Sequence, residues 1–134
     1  MAIRIVRLGS PRAPDEGLRL GTVRRPPRGV KKSEHATGNF YDVWLPNLAP
    51  SEELLKTFLG IADDRAWRTF ARRYQAEMKS SDTTHLLELL ATLSHTTQFS
   101  VGCYCADESR CHRSLLRELL IKHGAQVVAP GADI

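Results

Sequence analysis

No run of apolar residues in the 134-residue chain approaches the ~20 that a membrane span needs, and its first residues carry no apolar signal-peptide core. No membrane partner is expected, and a cytoplasmic location is. Cysteine is scarce too: there are three, an odd number, all within Cys103–Cys111. That is no disulfide framework of a secreted domain, and it suits a reducing compartment. Internal repeats and low-complexity segments are absent. What remains, 42% hydrophobic and 25% charged residues, is ordinary globular composition. It reads as a single domain over 1–134, long enough for its own core.

The net charge of +4 is modest and its excess is local. Arg24, Arg25, Arg28, Lys31 and Lys32 crowd one segment with Pro26, Pro27 and Gly29. Two prolines remove donors and fix φ, so 24–38 reads as a long basic loop. Such a loop permits contact with nucleic-acid phosphates and is equally a solvated surface.

Apolar content and turn residues predict strands over 3–8, 18–23 and 40–45. A helix is expected from the N-cap Ser51 to about Leu59, stopped by Gly60. A second should fill 62–79, where Trp67, Phe70, Ala71, Tyr74 and Met78 recur at helical spacing. A third spans 83–93 behind Ser81 or Asp82. Strand 98–105, helix 110–123 ending at Gly124, and a short strand at 126–128 complete the chain. Helices separating strands predict an α/β fold, a three-layer sandwich around a mostly parallel sheet.

The chemistry concentrates in Val101–Ser114. A buried strand runs through a polar turn into a helix, and the turn carries two thiols, an imidazole and two guanidinium groups. In parallel sheets ligands bind beyond the carboxyl ends of strands, and a helix N-terminus attracts anions. Arg110 and Arg113 would reinforce that pull. Cys111, at the helix start beside His112 and Arg113, is a candidate thiol of lowered pKa. His112 is a candidate general acid or base. Cys105 lies at the strand exit, whereas Cys103 reads as packed core. His35, His85 and His95 read as surface residues.

The spacing does not fit other thiol chemistries well. A cysteine phosphatase needs five residues between Cys and Arg, whereas Cys105 and Arg110 enclose four, closer to a rhodanese-like loop. Asp107 and Glu108 would place negative charge in that loop. For zinc, a C-x-C on a strand and an adjacent Cys-His on a helix are expected to converge poorly, so no metal site is expected. No cofactor is indicated.

Several stretches resemble one known family. They are Pro27-Arg28-Gly29-Val30, Gly38–Pro46, Leu48-Ala49-Pro50-Ser51 with Phe70, Tyr74 and Glu77 downstream, and Cys111-His112-Arg113. Together they are similar to the domain-of-unknown-function 488 family, which includes the YeaO-like proteins. The resemblance implies an α/β fold and no established reaction. It implies a shortlist of Arg28, Cys111, His112 and Arg113, with Asn39, Tyr41 and Asp42 as neighbours. The chain departs from the pattern at Arg25-Pro26, where relatives commonly carry an apolar residue and Trp.

Three functions stay open at this point. One is an enzyme or ligand-binding domain for a small phosphate-bearing or nucleotide-like anion at the Cys-His-Arg turn. Another is a nucleic-acid module using the 24–32 loop, and the third is a purely structural turn. The first requires the corner to face an open cleft. Burial of Cys111, His112 and Arg113 with no cavity beside them would remove it. Substrate, reaction class and oligomeric state are encoded in no motif.

Overall fold

The computed structural model describes residues 2–58, 63–105 and 111–129. Strands β1 (Ile3–Arg7), β2 (Leu18–Gly21), β3 (Val43–Trp44) and β4 (Phe99–Cys103) form one sheet in the order β1-β4-β2-β3. Every pairing is parallel. The last strand to be made is therefore an inner one, and all five of its residues are buried. That is the expected fate of a parallel strand covered on both faces.

Side-chain alternation separates the two faces. Ile3, Ile5, Phe99 and Val101 share one core with residues of the four helices α1 (Glu52–Phe58), α2 (Asp64–Glu77), α3 (Ser81–Leu93) and α4 (His112–Lys122). Leu115, Leu116 and Leu120 anchor α4 there, each fully burying ~1.5–3 kcal/mol worth of side chain. Gly124, at a φ of 94°, ends the helix as expected. The opposite face is covered by irregular chain, with the Tyr41 ring lying over Gly21. A Cβ on Gly21 would fall 2.3 Å from that ring. The third layer is thus loop rather than helix.

The central block quoted for the family resemblance is a clamp between elements. The Tyr74 hydroxyl donates to the Leu48 carbonyl at 2.8 Å, and the Ser51 N–H and hydroxyl both donate to Glu77. Ser51 also accepts from the Leu54 N–H, so it caps α1 as expected. The α3 cap is Ser80, accepting from Thr83, rather than Ser81 or Asp82. The strand expected over 40–45 shrinks to two residues, and that over 126–128 to a single bridge between Ile3 and Val127. The helix end expected at Leu59 and Gly60 lies outside the described residues.

The loop-covered face hides an ion pair that period-two reading missed. Arg19 and Glu16 are essentially fully buried and bidentate, at 2.7 and 2.9 Å. The carbonyls of Ser10 and Asn39 accept from the guanidinium, while Ser100 and the Ala13 N–H donate to the carboxylate. Burial alone would raise the Glu16 pKa. Hydrogen bonds from Arg19 and Ser100 and the Arg19 charge outweigh it, leaving the pKa below the ordinary 4.5.

A carboxylate with a depressed folded pKa stabilises the fold above its unfolded pKa and loses that contribution as pH falls through the folded one. Urea midpoints should therefore hold at neutral pH and fall once pH drops below 4.5. Glu16→Gln, which strands a buried guanidinium, should cost about 3 kcal/mol at neutral pH and flatten the acid slope. An unchanged slope in the variant would contradict this assignment.

Candidate functional site

The carboxyl end of β4 and the start of α4 form the corner singled out by the sequence. Cys103 ends the strand facing inward, 2% exposed, and Cys111 occupies the N-cap position of α4, also 2% exposed. Their sulfurs are 2.7 Å apart. Around them pack Val6, Leu8, Val23 and Tyr41, forming a small core of their own. Cys103 is therefore core, as expected, and also half of a thiol pair. The expectation of poor convergence does not hold, because the chain returns from the strand end to the helix start within eight positions. Its thiols meet across the β4–α4 boundary rather than along β4.

His112 is held from two sides. Its Nε2 lies 2.8 Å from the Thr22 carbonyl, and its ring centroid is 5.6 Å from that of the buried Tyr74. A carbonyl only accepts, so Nε2 carries the hydrogen and the neutral imidazole keeps a lone pair on Nδ1. That Nδ1 sits 3.7 Å from the Cys111 sulfur. Burial lowers the His112 pKa to about 4, against the opposing pull of the Thr22 bond and the Cys105 charge. At neutral pH the ring is uncharged.

Cys105 is the exposed thiol of the three. Hydrogen bonding with Cys103 and Cys111, aided by the Arg113 charge, outweighs its burial and lowers its pKa. Cys103 is pushed up by its hydrogen bonds to Cys105 and Cys111 and by burial. Cys111 receives a lowering hydrogen bond from Cys103, but its bond to Cys105, burial and the Cys105 charge carry it to about 11. The sequence expectation of an acidified Cys111 is thus corrected: the charge gathers on Cys105, where water and Arg113 face it.

Arg113 is 3% exposed, and its Nη2 donates to the Cys105 carbonyl at 2.6 Å. Its Nε is buried with no hydrogen-bond partner among the described residues. The Arg113 main-chain N–H, by contrast, donates to the thiol of Cys111, the α4 N-cap. Cys111, His112 and Arg113 are all buried and line none of the described cavities, which counts against the open cleft that the anion reading requires; the open face of the corner is Cys105 alone. Arg110 lies outside the described residues.

The other shortlisted residues lie across the basic loop. Arg28 is exposed. Asn39 takes a φ of 62°, and its carbonyl accepts from Arg19 and the Gly9 N–H. Asp42 is paired with Arg12 at 2.8 Å and accepts from the Arg19 N–H. Both are spent on tying the loop to the sheet. Arg24 is likewise spent on the Ala49 and Pro50 carbonyls. Tyr41 is 4% exposed and belongs to the core around the thiols. It also lines a groove of about 490 Å³, with Pro26, Val30, His35, Asp42 and Trp44 among the other walls. The groove and the thiol corner thus share Tyr41. Tyr104, adjoining Cys105, strengthens the link by donating to the Arg25 carbonyl.

Fold and site together define an α/β domain with a Cys-His-Arg corner at the carboxyl edge of a parallel sheet. The chain belongs to the DUF488 family: DUF488-N3a, described as the active DUF488-N3 subclade, matches residues 3–124. It is 29% identical over 118 residues to the uncharacterized protein Rv3073c of Mycobacterium tuberculosis, covering 88% of this chain and 92% of that one. It is 37% identical over 78 residues to the uncharacterized protein YeaO of Escherichia coli, covering 58% of this chain and 63% of that one. No solved structure matches.

The burial pattern predicts selective chemistry. Brief iodoacetamide treatment of native, reduced, chelator-treated protein should alkylate Cys105 and spare Cys103 and Cys111, read by peptide mass spectrometry. Equal labelling of all three without denaturant would contradict the packing described.

Proposed function

We propose that this corner binds a small phosphate-bearing, nucleotide-like anion, with the phosphate at the start of α4 and the rest of the molecule in the groove beside Trp44. The observation that carries the reading is the buried Arg113 Nε, without a hydrogen-bond partner among the described residues, in the first turn of α4. Helix N-terminal N–H groups favour anions, and a guanidinium donor strengthens the hold. The groove supplies aromatic walls from His35, Tyr41 and Trp44, stacked edge to ring between the first two at 5.1 Å. Trp44 is 42% exposed, and its indole N–H is already satisfied by the Val23 carbonyl, leaving its face for contact.

Cys105 is the sulfur such a ligand meets, which makes it the reacting group if the protein is an enzyme. The description of the matching subclade as active supports chemistry at the corner over a purely structural role. Three reduced thiols suit a cytoplasmic setting. Among the described residues no helix is long and apolar enough to cross a membrane.

A second reading, nucleic-acid binding, draws on the exposed Arg25, Arg28, Lys31 and Lys32, the last of which lines the same groove. Isothermal titration calorimetry separates the two. Nucleoside mono- and diphosphates should bind more tightly than inorganic phosphate, and Trp44→Ala should lose about tenfold toward nucleotides while leaving phosphate unchanged. Binding of oligonucleotides alone, with a steep salt dependence, would transfer the function to the loop.

A further inference from the structure

We infer that the same corner is a binding site for a thiophilic divalent cation, zinc by preference. Cys103, Cys111 and His112 hold the ion, and Cys105 closes the fourth position from the solvent side. The proposal goes beyond the anion reading; it shares Cys105 and Arg113 with it but is carried by the ligand atoms of Cys103, Cys111 and His112. Among the described residues, one group of three Cys, His, Asp or Glu side chains brings its ligand atoms within 4.8 Å of one another, and it is this one. All three members are buried.

The geometry suits a tetrahedral ion. Zn–S bonds of ~2.3 Å and Zn–N bonds of ~2.0–2.1 Å give S···N edges of ~3.6 Å and S···S edges of ~3.8 Å. The Cys111 sulfur and His112 Nδ1 are already 3.7 Å apart. The Cys103 and Cys111 sulfurs, 2.7 Å apart, need to open by about 1 Å to admit the ion. His112 is oriented as ligating imidazoles are: the far nitrogen donates to a backbone carbonyl, fixing the tautomer and turning the Nδ1 lone pair toward the sulfurs. Cys105, the exposed thiol, is not a member of that compact group; turned inward it would supply the fourth corner from the solvent side, along the path of entry.

Charge decides the class of ion. With Cys105 engaged, three thiolates around a divalent cation would leave one negative charge, and the buried Arg113, bonded to the Cys105 carbonyl, supplies one positive charge beside it. Sulfur and imidazole donors select zinc and its borderline-soft neighbours, whereas magnesium and calcium require oxygen. Binding transfers the thiol protons to the buffer and involves no oxidation. Cys105, the exposed ligand, is the one that an incoming donor would displace. The exchange would leave three protein ligands and one open position, the arrangement of catalytic rather than structural zinc sites.

The test uses the full chain, reduced and without nucleotide, so its outcome is independent of the anion reading. Cobalt(II) titration should give thiolate-to-metal charge transfer and the visible bands of a tetrahedral site at one equivalent. Zinc should then displace the cobalt, with one zinc per chain by elemental analysis. Cys111→Ser and His112→Gln should each weaken binding by about 100-fold or more. Cys105→Ser should weaken it about tenfold while keeping one ion per chain. His95→Ala, remote from the corner, should change nothing. Circular dichroism establishes that each variant is folded; Cys103→Ser replaces any that is not. The proposal fails if reduced, folded protein takes up no cobalt, if the cysteine variants bind as well as the parent, or if a Cys103–Cys111 disulfide forms in place of metal uptake.

Discussion

The hydrogen bond between His112 Nε2 and the Thr22 carbonyl is the constraint on which the corner depends. It ties the first residue of α4 to the chain just past β2, while Thr22 itself donates to the Gly102 carbonyl of β4 through both its N–H and its hydroxyl. Two neighbouring strand ends and a helix start are thereby fixed to one another. The bond also decides chemistry, because it dictates which imidazole nitrogen is bare. Tyr74 packs against the other side of the ring and is itself anchored to Leu48. The family's central block and its Cys-His-Arg signature are therefore parts of one support.

The inner position of β4 explains why the site sits where it does. An inner parallel strand has neighbours on both sides, so a side chain at its end is walled by the ends of β1 and β2. Gly102 contributes by absence. A Cβ there would fall 2.6 Å from the Val6 carbonyl and 2.9 Å from Leu8, so only glycine lets these close walls form. Cys103 and Cys111 are thereby dry, and Cys105, two residues beyond Cys103, is left at the edge. Burial sorts three chemically identical side chains into two enclosed thiols and one exposed one.

Much of this was legible in sequence. The apolar stripe of Trp67, Phe70 and Tyr74 announced α2, and Leu115, Leu116 and Leu120 announced α4, because helical periodicity is a local signal. The Cys-His-Arg motif marked the corner, and the basic loop was recognised from its prolines. What local pattern could not carry was pairing at a distance. Strand order places β4 between β1 and β2, and neither the alternation nor the turn residues of 99–103 encode it. The Cys103–Cys111 contact depends on how the 104–111 segment closes, so strand parity alone read Cys103 as packing. Arg19, inside Leu18–Gly21, carries no sequence signal of burial, yet it is fully enclosed and neutralised by Glu16. The Asp42 carboxylate pairs with Arg12 and the Asn39 main-chain carbonyl accepts from Arg19, two long-range contacts that local pattern does not encode.

The most direct test of the central claim is the tautomer of His112 in the reduced, metal-free protein, read from long-range ¹H–¹⁵N spectra of the imidazole at pH 7. The structure requires a proton on Nε2, held by the Thr22 carbonyl, and a bare Nδ1 beside Cys111. A proton on Nδ1 instead, or on both nitrogens, would contradict it and with it the orientation on which the corner's chemistry is built.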